Sequence, residues 1–294
     1  MPYTLLENEE GEYCSLNGEK ILFSSASGME LQIPTEEIVY YESIRIREGT
    51  LIFFEDHMLR LYESIAAKEA FLFDAEKVYT DAQQLIQDPE KPVWNGNLRV
   101  IVTKTKVLLY LSAMKTPDES FYTEGVPASL LNWQRKSPQV KIFHDDYKSA
   151  VAEAFTKNTP HGSPYEILLQ NPKQEITEGS RSNFFVLVGD TVYSPPEDLI
   201  LTGITRKYVK RALLQADLKL EIKTFTFPEL CLLRDQGKNP ILFLTSSPFD
   251  VLPVKNIDEE LFTPGKNENL EKIQKIYHNI VENYILYHNP VLPD

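Results

Sequence analysis

Cysteine is scarce in this chain. Only Cys14 and Cys231 occur among 294 residues, and they lie far apart in sequence. This usage excludes a disulfide framework and the close cysteine spacing of a zinc site, so we expect two inert thiols. The five histidines are scattered and form no recognisable ligand pattern, and no metal is expected.

Positive charge is also in short supply. Lysine and arginine number 30 against 43 aspartate and glutamate residues, which gives a formal net charge of −13. A nucleic-acid backbone needs a concentrated basic face, so we expect no nucleic-acid partner. A small anionic ligand in a local cationic pocket is compatible with this balance.

Long hydrophobic runs are missing. No apolar stretch is long enough to cross a bilayer, so no membrane partner is expected. The first residues, MPYTLLENEEGEY, lack the basic start and apolar stretch of a secretory signal. We therefore expect a cytoplasmic protein.

The chain has enough apolar residues for a folded protein of about two domains. Hydrophobic residues make up 42% of it, which is too many for a disordered chain. Strand-like and helix-like patterns alternate, which favours an α/β or α+β fold. A polar stretch with few apolar residues suggests a boundary near residues 115–125. We predict an N-terminal α/β domain at 1–118, a linker at 119–125 and a C-terminal domain at 126–294.

Local patterns predict several elements. Apolar spacing predicts helices from His57 to about Phe73, at about Asp74–Ile86, from near Thr205 to before Asp217, and at about Asn269–Tyr284. Strand-like runs occur at Leu51–Phe54, Val140–Phe143, Tyr165–Leu169, Asn183–Leu187, Thr191–Tyr193, Leu220–Ile222 and Ile241–Leu244. The Asn95-Gly96 turn precedes a predicted hairpin of Leu98–Val102 and Val107–Leu111.

Two segments have the chemistry of phosphate binding. In Thr202-Gly203-Ile204-Thr205, a glycine and a threonine precede a predicted helix, whose first N–H groups suit an anion. Thr245-Ser246-Ser247 places three hydroxyl donors at the end of a predicted strand. Taken alone, the first segment is better explained as an ordinary loop-to-helix junction and the second as a hydroxyl-rich turn.

Three charged side chains are candidates for binding or catalysis. Glu178 precedes a glycine where the backbone could approach a planar ligand, and its carboxylate could pair with a protonated ring nitrogen. Arg60 shares a helix face with His57 and could bind a phosphate, while Asp56 is expected at the helix N-cap. Lys148 could attack a carbonyl carbon. Taken singly, each is better explained as a solvated polar residue.

The order of these features resembles the class IV aminotransferases, the fold-type IV enzymes that use pyridoxal 5'-phosphate. This family includes branched-chain and D-amino-acid aminotransferases and aminodeoxychorismate lyases. The similarity extends from about Tyr41 to Val254, and Ile176–Phe185 and Leu201–Arg206 are its most specific parts. It implies a small N-terminal α/β domain, a larger C-terminal domain with a barrel-like sheet, the cofactor between them, and a homodimer.

The resemblance also implies roles for individual residues. Lys148 matches the lysine that binds the cofactor as a Schiff base, and Glu178 matches the carboxylate facing the pyridine nitrogen. Arg60 matches the arginine on the phosphate. The remaining phosphate ligands are implied to be Ile204, Thr205, Ser246 and Ser247. Lys148 is not followed by the Asn-Tyr pair of branched-chain enzymes, so its assignment rests mainly on its distance before Glu178. Lys141 and Lys157 lie nearby and are weaker candidates.

The substrate side departs from the family pattern. No Gly-Asp-Gly precedes Tyr41, and Thr103-Lys104-Thr105-Lys106 stands where an Arg-Gly pair is common. Tyr41, Arg45 and Arg99 are candidate contacts for a substrate carboxylate, and roles in packing or surface charge are equally compatible with them.

The activity implied is transfer of an amino group between an amino acid and a 2-oxo acid in a ping-pong cycle. The alternative is an aminodeoxychorismate lyase that releases pyruvate with the same cofactor residues. A cofactor-binding protein without turnover is a third hypothesis. The combined presence of Arg60, Lys148, Glu178 and Thr205 argues against it.

Overall fold

The computed structural model describes residues 5–66, 73–87, 94–114, 116–142, 144–262 and 266–288. These residues form two compact units. Unit 1 comprises the described residues of Met1–Lys115, Val140–Asp145 and Val281–Asp294. Unit 2 comprises those of Thr116–Gln139 and Asp146–Ile280.

The units differ from the two contiguous ranges expected from sequence. The segment Val140–Asp145 belongs to unit 1 because Ile142 forms a β-bridge with Tyr40. The predicted linker 119–125 lies in unit 2, where Phe121–Glu124 is helical. Folding therefore returns short segments from later in the chain to unit 1.

Unit 1 contains an antiparallel six-stranded sheet in the order β2-β1-β6-β5-β3-β4. Its strands are β1 (Glu9–Leu16), β2 (Glu19–Leu22), β3 (Tyr40–Arg47), β4 (Thr50–Leu51), β5 (Gly96–Val102) and β6 (Val107–Ser112). Its helices are α1 (Ala26–Glu30), α2 (Phe54–Ala66) and α3 (Ala75–Ile86). The predicted hairpin is confirmed, because β5 pairs with β6 and Val102 lies opposite Val107.

Strand β3 shows why this sheet has two different faces. Its residues alternate between buried and half-buried positions, as expected when successive side chains point to opposite faces. Tyr40, Ile44 and Ile46 join the apolar cluster formed with α2 and α3. Glu42 is on the same side, so a carboxylate lies at the edge of an apolar core.

The start of α2 corrects two predictions. The helix begins at Phe54 rather than His57, so the predicted strand Leu51–Phe54 is wrong beyond Leu51. Phe53 has a φ of +55°, which interrupts the extended backbone before the helix begins. Asp56 consequently lies in the first turn of α2 rather than at its N-cap.

Unit 2 is built around a larger sheet of ten strands. The strands are β7 (Val126–Asn132), β8 (Glu166–Gln170), β9 (Glu175–Gly179), β10 (Asn183–Val188), β11 (Thr191–Ser194), β12 (Lys219–Ile222), β13 (Phe225–Thr226), β14 (Ile241–Ser246), β15 (Asp250–Ile257) and β16 (Glu260–Leu261). The helices along this part of the chain are α4 (Phe121–Glu124), α5 (Asp145–Phe155), α6 (Ile204–Gln215), α7 (Phe227–Asp235) and α8 (Glu268–His288).

Six of these strands close into a ring. The order β10-β14-β15-β7-β8-β9 returns to β10 through the pairing of Asn183 with Glu178. Apolar side chains such as Leu168, Phe184 and Leu244 fill the associated core. The expected barrel-like sheet and the mixed α and β fold class are confirmed.

The two cysteines are thiols without a disulfide bond. Cys14 is fully buried in unit 1, and burial raises the pKa of its thiol to about 11. A thiol protonated at neutral pH is a weak nucleophile. None of the helices in the described part of the chain combines the length and the apolar character needed to span a membrane.

The N-cap of α3 provides a test of local stability. The Asp74 carboxylate accepts hydrogen bonds from the N–H groups of Glu76 and Lys77, at 2.9 and 3.2 Å. Replacing Asp74 by Ala should lower the free energy of unfolding by about 1 kcal/mol, because both groups lose their partner. Asp74→Asn should retain most of the stability. Urea unfolding measures the free energy of unfolding of both variants, and hydrogen exchange reports on α3 itself. Equal stability of Asp74→Ala and Asp74→Asn would contradict the capping role.

Candidate active site

The centre of the candidate site in unit 2 is the carboxylate of Glu178. The residue lies in β9 at the closure of the ring and is only 2% exposed. Its Oε1 lies 3.3 Å from Arg135 Nη1, and its Oε2 accepts a hydrogen bond of 3.0 Å from the Leu201 N–H. Burial raises the pKa of Glu178, against the effects of Arg135 and the Leu201 N–H.

Asn183 connects this carboxylate to the other parts of the site. Its backbone pairs with Glu178 on one side and with Thr245 of β14 on the other. Its side-chain amide donates a hydrogen bond of 2.8 Å to the Leu201 carbonyl. A Cβ on Gly203 would lie only 2.1 Å from Asn183 Oδ1, so this close approach requires glycine at position 203.

The turn between β9 and β10 is held by a second buried carboxylate, Glu166. Glu166 is fully buried, and its Oε1 accepts hydrogen bonds from Ser180 N and Ser180 Oγ, while its Oε2 accepts one from Ser182 Oγ. A Cβ on Gly179 would lie 2.1 Å from Ser182 Oγ, which explains the glycine in this turn. These two serines therefore stabilise the turn that positions Glu178.

Helix α6 begins directly after the short loop that contains Leu201. Gly203 occupies its N-cap without a side-chain hydrogen bond, so its first N–H groups have no partner within the helix. Ile204 and Thr205 are buried at this end. The helix predicted from near Thr205 to before Asp217 is confirmed, and it begins at Ile204 after the N-cap Gly203.

The hydroxyl groups near the end of β14 have different environments. Thr245 is 1% exposed, and its Oγ1 has no hydrogen-bond partner among the described residues. Ser246 Oγ donates a hydrogen bond of 2.8 Å to the Arg181 carbonyl, and Ser247 is half-buried. Thr245, rather than the two predicted serines, is the buried hydroxyl that still lacks a partner.

On α5, the neighbour of Lys148 makes the contacts to this region. Tyr147 Oη donates a hydrogen bond of 2.8 Å to the Ser180 carbonyl, and Arg135 lies 5.7 Å from the centroid of the Tyr147 ring. Lys148 is an exposed residue of the same helix, and partial desolvation lowers the pKa of its amine.

Unit 1 contains a separate polar cluster around Glu42, which we call the Glu42 cluster. Arg60 donates two hydrogen bonds of 2.7 Å to Glu42, from Nε to Oε1 and from Nη2 to Oε2. His57 Nδ1 donates to Oε2 at 2.8 Å, and Lys141 Nζ lies 3.5 Å from the same oxygen. The predicted common face of His57 and Arg60 is confirmed by this shared partner.

Electrostatics explain how the Glu42 cluster tolerates burial. Burial by itself would raise the pKa of Glu42, but Arg60, Lys141 and His57 hold the pKa well below its usual range. Burial lowers the pKa of His57 despite the neighbouring carboxylate. At neutral pH the cluster therefore contains an ionised Glu42 and a neutral imidazole.

The three candidate substrate contacts lie on β3 and β5 in unit 1. Tyr41 and Arg45 alternate with Glu42 along β3, so they lie on the opposite face of the sheet. Arg99 on β5 lies 5.9 Å from the centroid of the Tyr41 ring, and its Nη2 contacts Glu7 Oε2 at 3.1 Å. Arg99 and Tyr41 thus lie together, and Arg99 already binds one carboxylate.

Several structural residues of these clusters were missed from sequence. Glu42, Glu166, Asn183 and Arg135 owe their roles to contacts between distant parts of the chain. A signal existed for Glu42, because the alternation in Tyr40–Arg47 predicts a strand with a carboxylate on its buried face. No sequence spacing indicates that Arg135 contacts Glu178.

Comparison with known proteins gives a family and a curated relative for this chain. The family model described as amino-transferase class IV matches residues 40–257. D-alanine aminotransferase from Bacillus licheniformis is 28% identical over 249 residues, which cover 79% of this chain and 83% of that protein.

Solved structures share the fold. The branched-chain amino acid aminotransferase of Escherichia coli superposes with a TM-score of 0.76 at 16% identity, covering 92% of this chain and 95% of that one. The branched-chain amino acid aminotransferase of T.th., solved with pyridoxamine 5'-phosphate, gives a TM-score of 0.75 at 17% identity, covering 94% and 96%. The family match over most of the chain defines a class of pyridoxal-phosphate enzymes. Within that class, the chain belongs to the class IV aminotransferase family.

The residues in unit 2 fit the family's cofactor. A buried carboxylate suits a protonated pyridine nitrogen, and an uncapped helix N-terminus suits a phosphate. The partnerless hydroxyl of Thr245 supplies a further donor, on a strand that pairs with β10. The described residues contain no group of side chains that could hold a metal ion.

The Glu42 cluster makes a stability prediction with a defined pH dependence. Glu42→Gln should lower the free energy of unfolding at pH 7 by about 3–5 kcal/mol, because buried cations lose their counter-charge. The folded pKa of Glu42 is depressed below 4.5, so its contribution is present above pH 4.5 and lost as the pH falls through the lowered value. The deficit of the variant should therefore shrink below pH 4.5.

Exposed Glu36 offers a matched control for this variant. Glu36→Gln should change stability by no more than about 0.5 kcal/mol. Urea titrations from pH 7 to pH 3 measure both variants. A Glu42→Gln deficit that is small, or that is constant with pH, would contradict the ionised buried carboxylate.

Proposed function

We propose that this protein transfers an amino group between an amino acid and a 2-oxo acid with pyridoxal 5'-phosphate as its cofactor. One observation carries the proposal. The buried Glu178 carboxylate is hydrogen-bonded to Leu201, and α6 begins with an uncapped N-terminus three residues after Leu201. A carboxylate and an anion-binding helix end are the two features that recognise opposite ends of this cofactor.

Bound pyridoxal phosphate supplies an aldehyde that captures amino groups and a ring that accepts electrons from the substrate α-carbon. The Glu178 carboxylate would hold the proton at the ring nitrogen. Arg135 stabilises the ionised form of Glu178 against the effect of burial. Asn183 and Glu166 act through the backbone, since they fix β9, β10 and the turn between them.

Phosphate binding is assigned to donors on three segments. The N–H groups of Ile204 and Thr205 would point their partial positive charge at the phosphate. Arg60 would add a guanidinium, and Ser246 and Ser247 would add donors from the turn after β14. The buried, partnerless hydroxyl of Thr245 supports including that turn.

The substrate carboxylate is assigned to Tyr41, Arg45 and Arg99. The contact of Arg99 with Glu7 supports the assignment, because it shows that a carboxylate fits against this guanidinium. The amine that binds the cofactor aldehyde is Lys148 by the sequence prediction. Lys141 of the Glu42 cluster is the alternative.

A homodimer in the cytoplasm completes the proposal. The family resemblance supports the dimer. The two unpaired thiols, one of them fully buried, support a reducing compartment. Light scattering of the purified protein measures the oligomeric state, and a monomeric mass would contradict the dimer.

The reaction itself is tested with purified protein and added pyridoxal phosphate. A panel of L- and D-amino acids is supplied with a 2-oxo acid acceptor, and the new amino acid is quantified. Equimolar formation of the new amino acid and the new 2-oxo acid is expected. Pyruvate release from aminodeoxychorismate without an acceptor would indicate the lyase instead, and absence of both reactions would refute the proposal.

Glu178→Gln tests the role at the ring nitrogen. The variant should bind the cofactor and lose turnover by about 10²-fold or more, because a neutral amide cannot hold the ring proton by charge. Glu221→Gln, at an exposed position of β12, is the matched control and should keep its activity. Cofactor absorbance and kcat are measured for both. Unchanged turnover of Glu178→Gln would contradict the assigned role.

A further inference from the structure

Lys141 has a backbone fixed between two elements of unit 1. Its carbonyl accepts a hydrogen bond of 3.3 Å from the N–H of Tyr41, and its own N–H donates to Ser64 Oγ at 3.4 Å. The next residue, Ile142, forms the bridge with Tyr40. The base of this side chain is therefore held against both β3 and α2.

The amine of Lys141 is directed to the carboxylate that binds Arg60. Lys141 Nζ lies 3.5 Å from Glu42 Oε2, which also accepts the 2.7 Å hydrogen bond from Arg60 Nη2. The lysine side chain is only 14% exposed. A lysine and an arginine of one unit are thus held together by one buried carboxylate oxygen.

This pairing has a chemical meaning if Arg60 binds the cofactor phosphate. In pyridoxal phosphate, the aldehyde and the phosphate-bearing arm are on adjacent ring carbons. An amine held next to the phosphate-binding arginine is therefore close to where the aldehyde lies. Positioning of this kind is what makes a nucleophile effective.

Lys148 lies on a different element, helix α5. It is Tyr147 that contacts Ser180 and Arg135, and adjacent residues of a helix do not share a face. Lys148 is exposed beside it. The lowered pKa of Lys148 favours a reactive amine, but desolvation alone does not bring that amine to a phosphate-binding group.

We infer that Lys141, positioned by Glu42 beside Arg60, is the lysine that binds the cofactor covalently. The inference rests on the proposed function. The Lys141 ammonium, paired with Glu42, first releases one proton to water. The resulting amine adds to the aldehyde carbon, a carbon–nitrogen double bond forms, and the aldehyde oxygen leaves as water with the two remaining amine protons. Glu42 is a positioning residue in this step, because it contacts the lysine and the arginine.

The experiment locates the covalent bond directly. Wild-type protein is incubated with one equivalent of pyridoxal phosphate, reduced with borohydride, digested with trypsin and analysed by mass spectrometry. We expect the reduced adduct on Lys141, with tryptic cleavage blocked there and normal cleavage after Lys148. An adduct on Lys148 would overturn the inference and leave the proposed function standing. An adduct on a third lysine, such as Lys157, would overturn only the inference, and absence of a specific adduct on every lysine would overturn both.

Three variants complete the design. Lys141→Ala should lose the specific adduct and the visible absorbance of the bound cofactor, while Lys148→Ala should keep the adduct at position 141. Lys141→Arg keeps a cation beside Glu42. If this variant is folded but forms no adduct, the adduct is lost because the lysine amine is missing and not because the fold is disrupted. A specific adduct that persists in folded Lys141→Arg would overturn the inference. Lys157→Ala, at an exposed lysine of the same region, is the matched control and should keep the adduct.

Discussion

The pairing of Asn183 with Glu178 is the constraint on which the candidate site of unit 2 depends. It closes the ring of six strands, and so it leaves Glu178 buried at a defined position. The Asn183 side chain then holds the Leu201 carbonyl, while the Leu201 N–H donates to Glu178. The two hydrogen bonds of Leu201 thereby fix the loop before α6, and so the start of that helix, relative to the Glu178 carboxylate.

In unit 1, too, a buried carboxylate holds neighbouring groups in place through its hydrogen bonds and ion pairs. Glu42 is fully buried, and its charge is balanced by Arg60 and Lys141 and hydrogen-bonded by His57. Removing one member of such a buried cluster destabilises the fold far more than removing one member of an exposed ion pair, because the remaining buried charges cannot be solvated. The carboxylate thereby holds the Arg60 and Lys141 side chains in one arrangement.

Local patterns were sufficient for part of this structure. The hairpin of β5 and β6, helix α3 and the helix after Gly203 follow from turn residues and periodicity, and all three are confirmed. The apolar run before α2 is ambiguous, since Ile52–Phe54 suits a strand or a helix end equally well. The alternation in β3 is a usable signal for a strand, but the burial of its carboxylate depends on α2 packing against that face.

What sequence could not supply is the set of long-range contacts. Arg135 and Glu178 are 43 residues apart, and Lys141 contacts a carboxylate on β3, in the N-terminal part of the chain. The family resemblance assigned cofactor roles to Glu178 and Arg60, and it assigned the cofactor lysine to Lys148 mainly by its distance before Glu178. The contacts of Tyr147 and Lys141 are what favour a different lysine.

The most direct test of the central claim is a single half-reaction without an acceptor. Cofactor-loaded protein is mixed with an excess of an amino acid that supports exchange, and the released 2-oxo acid is quantified while the cofactor spectrum is followed. The account predicts one equivalent of 2-oxo acid per bound cofactor, after which release stops until a second 2-oxo acid is added. Continued release without an acceptor, or no release from any amino acid, would contradict it.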